Sequence, residues 1–241
     1  MQLSLAALIP VLDRPQLVKP LTESFHASWL AETGWRARLL FIATPGDTRE
    51  IRALEDASAD YIIAPFGGNA RGQYAKKLNH AITLTEETWL FLGADDLAFH
   101  PGWLRAAIDV HIATGARVIG TNDLGNATVI RGEHATHSLV HRDYIEQGTI
   151  DDPSRLLCEL YDHNSVDVEF VETAKMRGEF AFARDSRVEH LHRLWGKAPI
   201  DATYRKGLRN ATADRRLMLS RRHLWRTLHH VRGPKVHGRW P

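Results

Sequence analysis

Two adjacent acids, Asp95 and Asp96, follow the apolar run Trp89-Leu90-Phe91-Leu92 and a glycine, Gly93. Carboxylate oxygens are hard ligands, so such a pair suits a divalent cation, and a cation held there would attract phosphates. Four bulky apolar residues bounded by Thr88 and Gly93 read as a short strand buried on both faces, as a parallel sheet requires. The acids then stand at its C-terminal tip, outside which open α/β sheets bind their ligands. The competing reading is local geometry: paired Asp residues also start turns and cap helices, and a helical pattern begins after Pro101-Gly102.

Strand-then-helix units must position that tip. Leu3 to Ile9 reads as a strand ending at Pro10 and the turn Leu12-Asp13-Arg14-Pro15, after which Leu17, Val18, Leu21 and Phe25 recur at helical spacing. Residues 38–43 (RLLFIA) form a second strand, Asp47 can cap a helix running to about Ala57, and Asp60 to Ala64 is a third strand. A glycine-rich loop, Pro65 to Gly72, leads into a helix from about Gln73 to Leu84. A helix over 102–114 and a strand from Arg117 to Gly120 complete the alternation, which predicts an α/β fold with a mostly parallel sheet flanked by helices. Beyond Asn122 the pattern reads as a short strand at Thr128 to Ile130, an element starting at Ser138 to Tyr144, and a helix from Pro153 to Tyr161. Next come a helix opened by Asp167 and closed by Gly178, and a last strand from Glu179 to Ala183 and on to Val188. An amphipathic basic helix runs from about Ala211 to Gly233-Pro234, with Leu217, Leu219, Leu224, Trp225 and Leu228 on its apolar side.

A chain of 241 residues with 44% hydrophobic composition has room for one large domain or one and a half. A single cysteine excludes an internal disulfide and a cysteine-rich zinc site and suits a reducing, cytoplasmic setting. Cys158, among Leu156, Leu157 and Leu160, reads as a core residue and not as a nucleophile. The start carries no basic region of the signal-peptide type, and no apolar run is long enough to be a transmembrane segment. The net charge of +2 conceals an asymmetry: from residue 201 onward eleven Lys and Arg face two Asp, about +9, leaving about −7 before it. The expected division is a body over 1–200 and a basic helical extension over 201–241.

Several short pieces occur in a telling order: I-P-V-L-D-R-P-x-L at 9–17, K-K-L-N at 76–79, L-F-L-G-A-D-D at 90–96, L-V-H-R at 139–142, V-D-V-E-F at 166–170 and V-E-H-L-H at 188–192. In that order the chain resembles glycosyltransferases of family 2, with the GT-A fold, in the small single-domain form of bacteria and phages. The resemblance implies metal-dependent inverting transfer of a sugar from a nucleoside-diphosphate sugar to an acceptor hydroxyl, with Mn2+ or Mg2+ as cofactor. It puts the nucleotide base and ribose on the loop of Pro10, Leu12 and Asp13, with Arg14 on phosphate; the same residues also read as a type I turn with Asp13 as a helix cap. Lys76 or Lys77 would reach the nucleotide with Asn79, although of two adjacent helical lysines one must face away. Residues 67–72 match no nucleotide fingerprint and read as a flexible loop.

By the same resemblance Asp95 contacts the ribose or the metal and Asp96 binds the metal directly, but Gly93 stands where many members carry a further acid. His190 and His192 are candidates for a third ligand, or simply exposed histidines sharing a strand face; an imidazole there would favour Mn2+. Asp167 matches the general base at the start of the helix under the acceptor site, with Glu169 as fallback and Val166 in place of the usual Glu; as a bare pattern Asp167 is also a helix cap. His163, Asn164 and Trp195 are candidate walls for acceptor or sugar. Residues 196–206 resemble the segment that closes over the donor, with Lys197, Tyr204, Arg205 or Lys206 as diphosphate ligands.

The acceptor stays open among DNA with modified bases, protein, glycan and lipid-linked sugar. The basic helix, with Arg215, Arg216, Arg221, Arg222 and Arg226, can dock on the acidic body, lie on an anionic membrane or follow a nucleic-acid backbone. Two rival classes are a nucleotidylyltransferase and a non-catalytic nucleic-acid-binding protein. The first would want a glycine-rich basic loop after the first strand, and LIPVLDRP has no glycine.

Overall fold

Residues Ser4–Pro10 (β1), Arg36–Ala43 (β2), Asp60–Ile63 (β3) and Trp89–Leu92 (β4) run parallel in a computed structural model that describes residues 3–29, 34–67 and 71–227. Helices α1 (Pro15–Trp29), α2 (Thr48–Asp56) and α3 (Gln73–Thr83) connect them. The second half adds β5 (Leu97–Phe99), α4 (Trp103–Thr114), β6 (Val118–Asn122), α5 (Ala127–Ile130), β7 (Ser138–His141), α6 (Arg142–Ile145), α7 (Val166–Arg177), β8 (Phe180–His190) and α8 (Ala202–Thr227). The strands form one sheet in the order β3-β2-β1-β4-β7-β6-β8-β5.

Period-two alternation explains why the sheet is covered on both faces. Leu5, Ala7 and Ile9 of β1 with Trp89 and Phe91 of β4 point into one core, against Val18, Leu21, Phe25 and Trp103. Ala6, Leu8, Leu90 and Leu92 point into the other, against Leu78, Ile82 and Val171. Each of these large side chains contributes about 1.5–3 kcal/mol by leaving water, so β1 and β4 are the best-anchored strands. The loops that carry Arg14, Asp95 and Asp96 leave from their carboxyl ends.

The sheet is more mixed than expected. β7 runs antiparallel to β4 and β6, and β5 antiparallel to β8, while β6 and β8 are parallel. Thr128 to Ile130 is not a strand: Asn126 caps α5 by accepting the Thr128 N–H at 3.0 Å, a polar start that the β-branched residues hid. Residues 153–161 form no helix either. Side chains answer that segment's backbone instead, Asn79 accepting the Leu157 N–H at 3.0 Å and donating to the Leu157 carbonyl at 2.8 Å. Leu156 and Leu157 are buried in the second core, whereas Leu160 is exposed. Gly68, Asn69 and Ala70 of the glycine-rich loop, and Leu228, Gly233 and Pro234 of the tail, lie outside the described residues.

α8 begins nine residues earlier than its apolar pattern suggests and is fastened to the body by two buried charges. Asp214, fully buried, accepts the backbone N–H groups of Asp162, His163 and Asn164 at 2.8, 2.9 and 2.8 Å. Arg221 donates to both oxygens of Glu169 at 2.8 Å and to both of Asp151 at 2.9 Å, and the Tyr161 hydroxyl also donates to Glu169. Cys158 lies close by, buried, its thiol pushed up to about 11 by desolvation. Arg209, Arg215, Arg216 and Arg222 face solvent. Among the described residues no helix is long and apolar enough to cross a membrane.

Removing one partner of a buried pair strands the other charge, at a cost of about 3–5 kcal/mol. Arg221→Ala is therefore expected to lower stability in urea unfolding by about that much and to make α8 the first site of limited proteolysis. An unchanged unfolding midpoint would show that α8 is not held this way.

Candidate active site

The strand order reverses between β1 and β4, because β2 and β3 lie on one side of β1 and β4 on the other. Such a switch point opens a crevice at the carboxyl ends of the strands. Two loops meet in it. After β1 the chain turns through Asp13 in the left-handed region (φ 58°) and delivers Arg14 just ahead of Pro15, where α1 begins. After β4, Gly93 lets the chain pass close over β1: a Cβ there would come within 2.5 Å of Ile9 Cδ1 and 3.3 Å of the Leu8 carbonyl oxygen. Any side chain at Gly93 would have to displace the end of Ile9 and press on the β1 backbone, which favours glycine there.

Arg14 is 4% exposed and gathers three carboxylates. Its Nη1 donates to Asp95 Oδ1 at 2.9 Å and lies 3.6 Å from Asp96 Oδ2. Nε and Nη2 donate to the two oxygens of Asp201 at 2.8 and 3.1 Å. Its backbone N–H donates to buried Glu50 at 2.7 Å, and the Tyr204 ring lies 4.0 Å from the guanidinium carbon. Asp96 is engaged on both oxygens: Tyr204 donates its hydroxyl to Oδ2 at 2.7 Å, and His190 Nε2 is 3.2 Å from Oδ1. Burial works against the charge of Arg14, yet Asp95, Asp201 and Asp96 outweigh it and raise its pKa. Burial, then the neighbouring Asp96 charge, push Asp95 up against the pull of Arg14. For Asp96 burial is outweighed by His190, Tyr204 and Arg14, which hold it well below the usual carboxylate range.

Whether a divalent cation suits this place turns on charge and on free ligands. Three carboxylates around one guanidinium leave a surplus of negative charge, which favours a further cation. Among the described residues, however, no group of three or more His, Cys, Asp or Glu side chains is disposed to hold a metal. His192 lies beyond the end of β8 at His190 and caps the short 3₁₀ turn Arg193–Trp195, its Nδ1 accepting the Leu194 N–H at 3.3 Å, yet its ring stays 4.8 Å from that of His190 and 4.7 Å from that of Tyr204. Asp95, Asp96 and His190 therefore form no ready-made cation site; Mg2+ commonly takes only one or two carboxylates and completes its shell with water and substrate phosphates.

Asp167 occupies the first turn of α7, where the helix dipole favours an anion. His134 Nε2 lies 3.0 Å from its Oδ2. Burial would raise the Asp167 pKa, but the His134 hydrogen bond and charge overcome it and the carboxyl is lowered. Asp167 shares a cleft with Tyr74, Thr136 and Ser138. His134 and His137 belong to a stretch between α5 and β7 that the sequence reading passed over; two His spaced by three within H-A-T-H was the signal available. His137 Nδ1 meets the Leu92 carbonyl at 3.1 Å, and its ring lies 5.0 Å from that of His190, so one short stretch touches both the acid pair's surroundings and Asp167.

The remaining predicted residues divide. Tyr204 and Arg14 join the acid pair as described. Of the two lysines it is Lys77 that faces in, 2% exposed, donating to the Val11 carbonyl at 2.6 Å and Thr44 Oγ1 at 2.7 Å; burial lowers its pKa to about 8. Lys76 is half-buried on the neighbouring face. Pro10 and Leu12 line the β1 loop, Leu12 meeting Thr203 through its carbonyl at 3.4 Å, and Asp13 is exposed beside Asp47. Asn79 holds the 153–161 segment, and Glu169 is 2% exposed with both oxygens bonded to Arg221, which engages it in fastening α8. Lys197 pairs with Glu189 at 2.7 Å, and Arg205 is exposed. Asn164 donates to the Gly207 carbonyl at 3.0 Å, the His163 ring packs on Tyr74 with centroids 6.3 Å apart, and Trp195 covers Gly125.

The order of strands and the helices on both faces are those of the GT-A fold. Solved structures show the same arrangement. The mannosyltransferase PcManGT from Pyrobaculum calidifontis, in complex with GDP-Man and Mn2+, superposes with a TM-score of 0.58 over 78% of this chain and 57% of that one, at 11% identity. S. aureus TarS 1-349 in complex with UDP gives 0.59 over 77% and 59%, at 10% identity. Mannosyl-3-phosphoglycerate synthase from Rubrobacter xylanophilus gives 0.63 over 97% and 78%, at 13% identity. The chain thus spans under three fifths of the length of the first two. No family model matches the sequence, and a search of curated proteins returns no match.

His137 is 4% exposed and its pKa is pushed down to about 4, chiefly by burial. A folded pKa below the unfolded one means that, between about pH 6.5 and 4, the unfolded chain binds a proton the folded one refuses, so stability falls with pH. The expected loss from His137 alone between pH 7.5 and 5.0 is about 2 kcal/mol. Urea unfolding at the two pH values measures it, and His137→Asn should flatten the difference; equal stability at both would contradict a neutral buried imidazole.

Proposed function

We propose that this chain is an inverting glycosyltransferase that moves a sugar from a nucleoside-diphosphate sugar to an acceptor hydroxyl. The observation that carries this reading is the placement, on a GT-A sheet, of the Asp95–Asp96–Arg14 cluster at the switch point, with the Asp167–His134 pair joined to it through residues 134–137. The β1 loop of Pro10, Leu12 and Asp13 takes the nucleoside, and Arg14, which presents a planar fork of donors, takes a phosphate oxygen. Mn2+ or Mg2+ would be held by Asp95 and Asp96 with His190 beside them, and when bound it neutralises charge on the leaving diphosphate. Asp167 accepts the proton of the acceptor hydroxyl as its oxygen attacks the anomeric carbon from the side opposite the diphosphate. Tyr204 and Asp201 at the start of α8 cover the cluster and keep water from the donor.

In this reading the body through residue 200 carries the chemistry and the extension from 201 onward caps it. The outward arginines Arg209, Arg215, Arg216 and Arg222 suit an anionic partner or acceptor.

Calorimetry with UDP, GDP and dTDP in the presence of Mn2+ is the direct test. At least one should bind the wild type, and Asp96→Ala should weaken that binding at least tenfold. Asp167→Asn should keep nucleotide binding and lose about 100-fold or more in sugar transfer. Absence of nucleotide binding in the wild type would end the reading.

A further inference from the structure

We propose that His134 is the positioning residue of the general base: by donating Nε2–H to Asp167 Oδ2 it aims Oδ1 at the acceptor hydroxyl and keeps the carboxylate ready to take its proton. The inference rests on the glycosyltransferase reading above and gives a role to a histidine of the H-A-T-H stretch.

The geometry is directional. His134 Nε2 and Asp167 Oδ2 are 3.0 Å apart, with the side chains 12% and 27% exposed. The backbone that carries His134 is held from both sides. Lys175 of α7 donates to the Glu133 carbonyl, so the helix that bears the carboxylate also clamps the residue before its partner. Further on, Thr136 Oγ1 donates to Asp123 Oδ2 at 3.0 Å, and the His137 carbonyl accepts the Thr121 N–H at 3.1 Å, which fastens the stretch to β6. A side chain supported at both ends of its segment has little freedom to turn away, which is what a positioning group needs.

The surroundings select the role. Asp167 is faced by His134 and His137 from this stretch, by His163 ahead of α7 and by the Tyr74 hydroxyl of α3. Among the described residues no Lys or Arg forms an ion pair with it, so its charge is sustained by imidazole hydrogen bonding and the start of α7. The reaction then balances as follows. The acceptor O–H breaks and its proton goes to Oδ1 of Asp167; the acceptor oxygen forms a bond to the anomeric carbon; the bond from that carbon to the diphosphate oxygen breaks, and the diphosphate leaves with the electron pair. His134 keeps its own proton throughout and stabilises the carboxylate before transfer.

The test uses His134→Ala and His134→Gln, the second retaining an N–H donor at the distance of Nε2. The probes are a set of nucleoside-diphosphate sugars whose slow hydrolysis, with water as acceptor, is read as released nucleoside diphosphate. Carbon-13 NMR titration of the Asp167 carboxyl is read in parallel on the resting protein. His134→Ala is expected to lower kcat by about tenfold or more with donor KM within about twofold, and to move the acid limb of the rate profile and the Asp167 titration upward by about one pH unit. His134→Gln is expected to restore most of kcat. An unshifted carboxyl titration and pH limb in His134→Ala, or a loss shared between kcat and donor KM, overturns the inference while leaving the transferase reading intact. A wild type that turns over none of the donors overturns both.

Discussion

A single buried guanidinium facing three carboxylates is the constraint on which the active edge depends. Arg14 comes from the loop after β1, Asp95 and Asp96 from the loop after β4, and Asp201 from the start of α8. Each carboxylate alone would be costly to bury, and so would the arginine; together they satisfy one another's hydrogen bonds. The arrangement therefore ties three distant segments into one place. It also leaves more negative than positive charge there, three carboxylates against one guanidinium.

Two further buried charges extend that principle to the helix that closes the site. Asp214 meets three successive backbone N–H groups and Arg221 spans Glu169 and Asp151. The start of α8 can then present Asp201 to Arg14 and Tyr204 to Asp96 while its far end stays docked. Glu169, near Asp167 in sequence, serves this fastening and lies away from the cleft of Asp167. Two residues, about 200° around the helix, separate a side chain facing the cleft from one facing α8.

The β1, β4 and α7 elements were legible in the chain because short-range rules govern them. Alternating or continuous apolar runs bounded by turn residues marked the strands, and Asp47 and Gly178 marked helix ends that the structure retains. Where the apolar spacing served packing rather than periodicity, the reading failed. Leu156 and Leu157 plug a core from an irregular segment whose backbone is satisfied by Asn79, and Asn126 turns a β-branched stretch into a short helix.

By itself the sequence determined the elements that carry the chemistry and the residue types at their tips: acids after a buried strand, an acid opening a helix, histidines beyond. Those follow from local patterns, which a linear chain displays. Only the tertiary structure decided which of these groups share a site. It put His192 on a turn beyond the strand of His190 while keeping their rings 4.8 Å apart, turned Lys77 inward, gave Glu169 and Asn79 to the scaffold, set Tyr204 on Asp96, and brought in His134, His137 and Asp201. Contacts between segments as far as 191 residues apart are set by strand order and helix docking, and no local spacing encodes them.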